Sequence, residues 1–115
     1  MTDQDCIFCR IARGDLGTEF VHQSDAVVAF DDAAPAAPVH VLVVPRRHLA
    51  SVADLGAGDS GLLAEIVEVA NQVARNRGID ATGYRLLTNH GADAGQTVHH
   101  LHFHLLGGAE LGPLA

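Results

Sequence analysis

Four of the eight histidines of this 115-residue chain fall between His99 and His104, in the run Val98-His99-His100-Leu101-His102-Phe103-His104-Leu105-Leu106. Read as a β-strand, the run sends His100, His102 and His104 to one face and Leu101, Phe103 and Leu105 to the other, with His99 on the apolar side. Neighbouring imidazoles of the row are then about 7 Å apart, two residues at about 3.3 Å each. Burying such a row without partners costs on the order of 1–3 kcal/mol per ring, and exposing it gives folding nothing, so the alternation points to function. Two chemistries suit it. Imidazoles can ligate zinc with one position left open for water, or neutral imidazoles can act on phosphate, one attacking phosphorus while its neighbours donate to the oxygens. The loop that runs into the row carries Asn89, Gly91, Gly95, Gln96 and Thr97, a composition suited to cradling phosphate. The row contains no carboxylate to serve as the base of a hydrolytic zinc site, which further favours phosphate.

Histidine has to carry the base chemistry, because all seven basic residues are arginines and a lysine nucleophile or Schiff base is excluded. A formal net charge of −7 repels a polyanion, so nucleic acid is not an expected partner, whereas a small anionic ligand needs only a local cluster of donors. No window approaches the roughly 20 apolar residues of a membrane span, and Met1-Thr2-Asp3-Gln4-Asp5 is acidic, unlike the start of a signal peptide. The expectation is a cytoplasmic protein without a membrane partner, in which Cys6 and Cys9 stay reduced and open to metal or redox work.

The length suits one domain over residues 1–115. Ile7, Phe8, Ile11 and Ala12 recur at one-turn spacing and predict a short helix from Asp5 to Arg13 that ends at Gly14. Glu19 to His22 and Ala26 to Phe30 read as strands joined by the turn-formers Gln23-Ser24-Asp25. Pro35 and Pro38 make the next stretch a loop. Val39 to Val44 is apolar on both parities apart from His40, which predicts a central strand covered on both faces and ended by Pro45. Ser60 to Arg77 carries a broad apolar face, with Asp59 or Ser60 to cap it and Gly78 to stop it, and predicts the long helix. Gly83 to Asn89 is a further strand, and the histidine strand follows, closing at Gly107-Gly108. This order predicts an α+β domain with a mainly antiparallel sheet of about five strands, one long helix and one short one.

His100-Leu101-His102-Phe103-His104-Leu105-Leu106 resembles the histidine triad motif of the HIT superfamily of nucleotide hydrolases and transferases. The resemblance extends to Cys6-Ile7-Phe8-Cys9-Arg10-Ile11, to Ala29-Phe30-Asp31-Asp32 with Pro35 and Pro38, to His40 through His48, and to Asn89 with Gly95-Gln96-Thr97-Val98, and the length suits the short Hint-like branch. The resemblance implies a HIT-like fold and a two-step displacement in which His102 takes the nucleotidyl phosphorus and water then hydrolyses the nucleotidyl-histidine. His104 would hydrogen-bond the phosphate and leaving group, and His100 would orient His102, with His40 behind it completing the network. Asn89, Gly95 and Thr97 match positions that contact phosphate, with Gln96 and Val98 beside them. Asp32 matches the ribose-binding carboxylate, and Phe8, Ile11 and Phe30, with Ala33, match the slot for the base.

Cys6-x-x-Cys9 alone also fits two inert thiols or a redox pair. Strand parity puts His99 on the face away from the row, and His48 lies just past a strong strand. Two cysteines and two histidines make a closed tetrahedral site, and several bacterial members of the family resemble this pattern, which implies structural zinc on Cys6, Cys9, His48 and His99. No catalytic metal or organic cofactor is expected. The substrate expected is a nucleoside phosphoramidate, with a dinucleoside polyphosphate as the enzymatic alternative. Two other classes stay open, a nucleotide-binding adaptor with vestigial hydrolysis and a zinc hydrolase that uses the row as ligands. The family resemblance also implies a homodimer. The tail from Gly107 to Ala115 lacks the tryptophan of close Hint-type relatives.

Overall fold

A computed structural model describes residues 5–114. The acidic start read from Met1 to Gln4, and the last residue of the tail, Ala115, lie outside the described residues. Along the chain come α1 (Ile7–Ala12), β1 (His22–Gln23), β2 (Val27–Asp31), β3 (Val39–Pro45), α2 (Ser60–Asn76), β4 (Tyr84–Leu87) and β5 (Phe103–Gly107), with single 3-10 turns at Val52–Asp54, Ala57–Asp59 and Ala92–Ala94. The strands form one five-stranded sheet in the order β1-β2-β3-β5-β4, and every pairing is antiparallel.

The central place of β3 follows from its composition. Val41 and Val43 bury one face against Ile66, Val69, Ala70 and Val73 of α2, together with Leu101, Phe103 and Leu105. Leu42 and Val44 bury the other face against Phe8, Ile11 and Ala12 of α1, with Val28 and Phe30 from β2. The sheet thus separates two cores, one under each helix, and a six-residue helix that would not persist alone is held by the smaller of them. Helix α2 ends as expected, with the Arg77 N–H turning back to Val73 and Gly78 at φ +73°. Asp59 occupies its N-cap position without a side-chain capping bond; its carboxylate instead accepts from the Gly56 N–H and from Arg47.

The histidine stretch departs from expectation. Alternation predicts strand from Val98, but β5 begins only at Phe103. Proline explains the boundary. The β3–β5 ladder runs from Val39 opposite Gly107 to Val43 opposite Phe103, and two steps further Pro45 has no N–H to donate. Ahead of β5 the chain is held from other elements: the Leu101 N–H donates to the Leu49 carbonyl at 2.6 Å, and the His102 carbonyl accepts from the Thr88 hydroxyl at 2.7 Å.

At its far end β5 carries Gly107, opposite both Val39 and Tyr84. A Cβ there would lie 2.8 Å from Ile79 Cδ1 and 3.3 Å from the Gly83 carbonyl oxygen. Gly107→Ala is therefore expected to cost about 1–3 kcal/mol by overpacking. Urea unfolding should show a lower midpoint at unchanged slope.

Candidate active site

The Cys-x-x-Cys run starts α1. Cys6 is its N-cap, with Sγ accepting the Cys9 N–H at 3.4 Å, so both sulfurs turn inward beneath the helix. His48, just beyond β3, and His100, just before β5, arrive from the sheet. Cys6 Sγ lies 3.2 Å and Cys9 Sγ 3.4 Å from His100 Nδ1, Cys9 Sγ lies 3.2 Å from His48 Nδ1, and the two Nδ1 atoms are 3.2 Å apart. A tetrahedral ion bound at about 2.0–2.3 Å sets its ligands about 3.3–3.8 Å apart. The opposite nitrogen of His100 donates to the Pro45 carbonyl at 2.8 Å, which leaves Nδ1 as the lone-pair nitrogen, an outer-shell arrangement suited to a ligand imidazole. Cys6, Cys9, His48 and His100 therefore form a cluster that could bind a metal ion, with all four ligand atoms within 4.8 Å of one another.

This corrects the expected ligand set. His99 is exposed and stands outside the cluster, whereas His100 is wholly buried within it. The parity that assigned them requires an extended strand, and the chain is irregular from Val98 to His102. His100 consequently does not stand in a row with His102 as a third active imidazole. It still orients His102, but through its backbone: the His102 Nδ1–H donates to the His100 carbonyl at 2.7 Å. A carbonyl can only accept, so His102 Nε2 carries the lone pair.

His40 also differs from expectation, pairing with His104 rather than standing behind His100. Leu42 lies opposite His104 in the register, which puts His40 on the diagonal, within reach of a ring on the same face. The Ala36 N–H donates to His40 Nδ1 at 2.9 Å, and His40 Nε2 lies 2.9 Å from His104 Nδ1. His40 must then hold its proton on Nε2 and donate to His104, which leaves His104 with Nε2–H. Asp32 Oδ2 lies 3.4 Å from His40 Nε2. Asp32, His40 and His104 also place three ligand atoms within 4.8 Å, but a ligating Nε2 on His40 would need its proton on Nδ1, facing the Ala36 N–H. That tautomer makes the second group a hydrogen-bonded chain instead of a metal site.

Burial, then the neighbouring His102 and His40, push the pKa of His104 down from 6.5 to about 4, against a smaller opposing pull from Asp32. His104 is thus a neutral donor across the neutral pH range. Between pH 6.5 and 4 the unfolded chain binds a proton there that the folded protein does not, so stability should fall as pH drops through this window. His104→Gln should flatten that part of a stability-against-pH curve measured by urea unfolding, and histidine NMR titration of the intact protein should place His104 near pH 4.

A cavity of about 400 Å³ opens in front of His102 and His104. Of the expected substrate contacts, Phe8, Ile11, Phe30, Asp32, Ala33, Thr97 and Val98 line it. The Phe8 ring stands edge-on to His102 at 5.0 Å and to Phe30 at 5.7 Å. Ile7, Thr18, Asp31 and Leu42 line it as well; Leu42 could have been found from its shared parity with His40, whereas nothing in the sequence marks Thr18. Asn89, Gly95 and Gln96 are outside this lining. Gln96 is committed to the loop itself, accepting from the Gly91 N–H and donating to the Ala50 and Val98 carbonyls. Half-buried Asn89 follows β4, and Gly95 closes the 3-10 turn at φ +82°. His90 is exposed and hydrogen-bonds the buried Ser51 hydroxyl at 2.6 Å.

A family model described as "Scavenger mRNA decapping enzyme C-term binding" matches residues 5–113. The purine nucleoside phosphoramidase of Escherichia coli K12 is 40% identical over 111 residues, 96% of this chain and 93% of that protein. A HIT family hydrolase from Clostridium thermocellum superposes with a TM-score of 0.92 at 45% identity, covering 96% of both chains. A histidine triad protein from Clostridium difficile superposes with a TM-score of 0.93 at 42% identity over the whole of both chains.

Proposed function

Since the chain belongs to the histidine triad superfamily, we propose that it is a nucleoside phosphoramidase, cleaving a nucleoside 5′-phosphate from an amine through a nucleotidyl-histidine. The observation that carries this is the complementary pair of ring nitrogens at the cavity, a lone pair on His102 Nε2 beside an N–H on His104 Nε2. The lone pair attacks phosphorus, and the P–N bond to the amine breaks as the Nε2–P bond forms, the departing nitrogen taking up a proton from solvent. The His104 N–H hydrogen-bonds the phosphate oxygens or the leaving atom, where charge develops. Water then attacks the same phosphorus and frees His102. The apolar wall of Phe8, Ile11, Phe30 and Val98 takes the base, Asp32 accepts from the ribose hydroxyls, and Thr97 serves the phosphate.

Zinc is the ion proposed for the cysteine–histidine cluster, because two thiolates and two imidazoles at tetrahedral spacing suit it. With four protein ligands it supplies structure and no open position for water. A cytoplasmic homodimer is proposed as well. Leu63 and Val67 on α2 and Tyr84 on the edge strand β4 are exposed and would be covered by a second copy. Among the described residues no helix is long and apolar enough to cross a membrane.

The test is to mix the protein with adenosine 5′-phosphoramidate, quench during turnover, and follow both nucleotide release and mass. AMP release with an adenylyl group mapped to His102 is the expected result. Tight AMP binding without turnover would instead make the protein a nucleotide-binding adaptor.

A further inference from the structure

Two connections run from the cysteine–histidine cluster to the nucleophile. The first is His100, whose side chain enters the cluster through Nδ1 while its carbonyl accepts the His102 Nδ1–H at 2.7 Å. The second is Phe8, which sits between the two cysteines in sequence and places its ring edge-on to His102 at 5.0 Å and to His100 at 6.0 Å. Residues 98–102 have no strand ladder to hold them. The anchors of this segment are the His100 ring, the Leu101 N–H on Leu49, the Gln96 amide on the Val98 carbonyl, and the Thr88 hydroxyl on the His102 carbonyl. The carbonyl that fixes the tautomer of His102 therefore belongs to the residue that the cluster grips.

We infer that the cluster is a positioning device for the nucleophile: Cys6, Cys9 and His48, acting through His100 and Phe8, hold His102 in place with its proton on Nδ1. The inference rests on the phosphoramidase reading. It separates two roles that would otherwise be merged, because a merely structural metal would leave the tautomer and kcat of a folded, metal-depleted protein untouched.

The test compares zinc-loaded His100→Ala with zinc-loaded His100→Cys. A thiolate keeps the fourth ligand, and the longer zinc–sulfur bond makes up for part of the shorter side chain. Zinc content and far-UV circular dichroism establish loading and fold, nitrogen-15 NMR reads the His102 Nδ1–H, and kinetics with adenosine 5′-phosphoramidate separate kcat from KM. The expected result is that His100→Cys keeps the Nδ1–H signal and most of kcat. His100→Ala should lose the signal and about 10- to 100-fold in activity, chiefly in kcat. Equal inactivity of both variants with zinc bound would overturn the inference, since the imidazole of His100 would then be needed for itself. So would a folded His100→Ala protein with the signal and kcat intact. Should the variants fail to fold, chelator-treated wild type that stays folded with an unchanged His102 tautomer overturns it equally, and loss of the signal supports it. Absence of turnover in zinc-loaded wild type would count against the phosphoramidase reading, while the NMR signal would still decide the coupling.

Discussion

His102→Ala should lower kcat for adenosine 5′-phosphoramidate by at least about 10⁴-fold, since removing a nucleophile that acts in concert with its partners costs up to about 10⁶. Its effect on the fold should be small. His102 is half-buried at the cavity edge, and its carbonyl is held by Thr88, a bond that alanine retains. KM should change only a few-fold, because the base slot and the Asp32 carboxylate remain in place. His104→Ala should cost less, about 10²–10³-fold, the usual worth of one well-placed donor to developing charge. The ranking is informative as well as the size. If His104 were the nucleophile, its variant would be the deader of the two, and the adduct would move with it. Steady-state kinetics on both variants, with quenched samples examined for the adenylyl-protein, measure this. More than about 1% residual kcat in His102→Ala would remove it from the role, because binding and hydrogen bonding alone supply about 10³–10⁴ over water.

How far the sequence foretold this arrangement depended on the distance between the residues involved. Local alternation sufficed inside regular strands. Val41 and Val43 face α2 while Leu42 and Val44 face α1, as the two-sided apolar character of the stretch required. The long helix, its glycine stop and the central strand were equally local. The exchange of His99 for His100 was not, because it turns on where β5 begins. That point is fixed by Pro45, fifty-eight positions before Phe103, and by the Leu101 N–H choosing the Leu49 carbonyl. Beyond a strand's end the backbone is no longer extended, and period-two alternation no longer assigns a face. The pairing of His40 with His104 likewise depends on register, which the residues of neither strand reveal alone. The donor set is the same after the exchange, two cysteines and two histidines.

Removing the zinc proposed for the cluster, or replacing Cys9 by alanine, should have the largest effect on stability, and the effect should be uneven. An ion that binds only the folded state stabilises it by about 4 kcal/mol when free metal is a thousand times its dissociation constant. For a domain of this size the corresponding fall in Tm is about 15 °C. The two-core architecture says where the loss concentrates. Helix α1 has six residues and is tied to the sheet by its own small core and by the cluster, with one further strap, the Arg46 guanidinium on the Ala12 carbonyl at 3.0 Å. The larger core, built on α2 and one face of β2, β3 and β5, contains none of the four ligands. Native-state hydrogen exchange after chelation should therefore show α1 amides losing protection while those of β3, β5 and α2 keep most of theirs. A uniform loss over the whole sheet would mean that the two cores fold as one unit, and protection in α1 unchanged by the chelator would mean that apolar packing alone holds the helix.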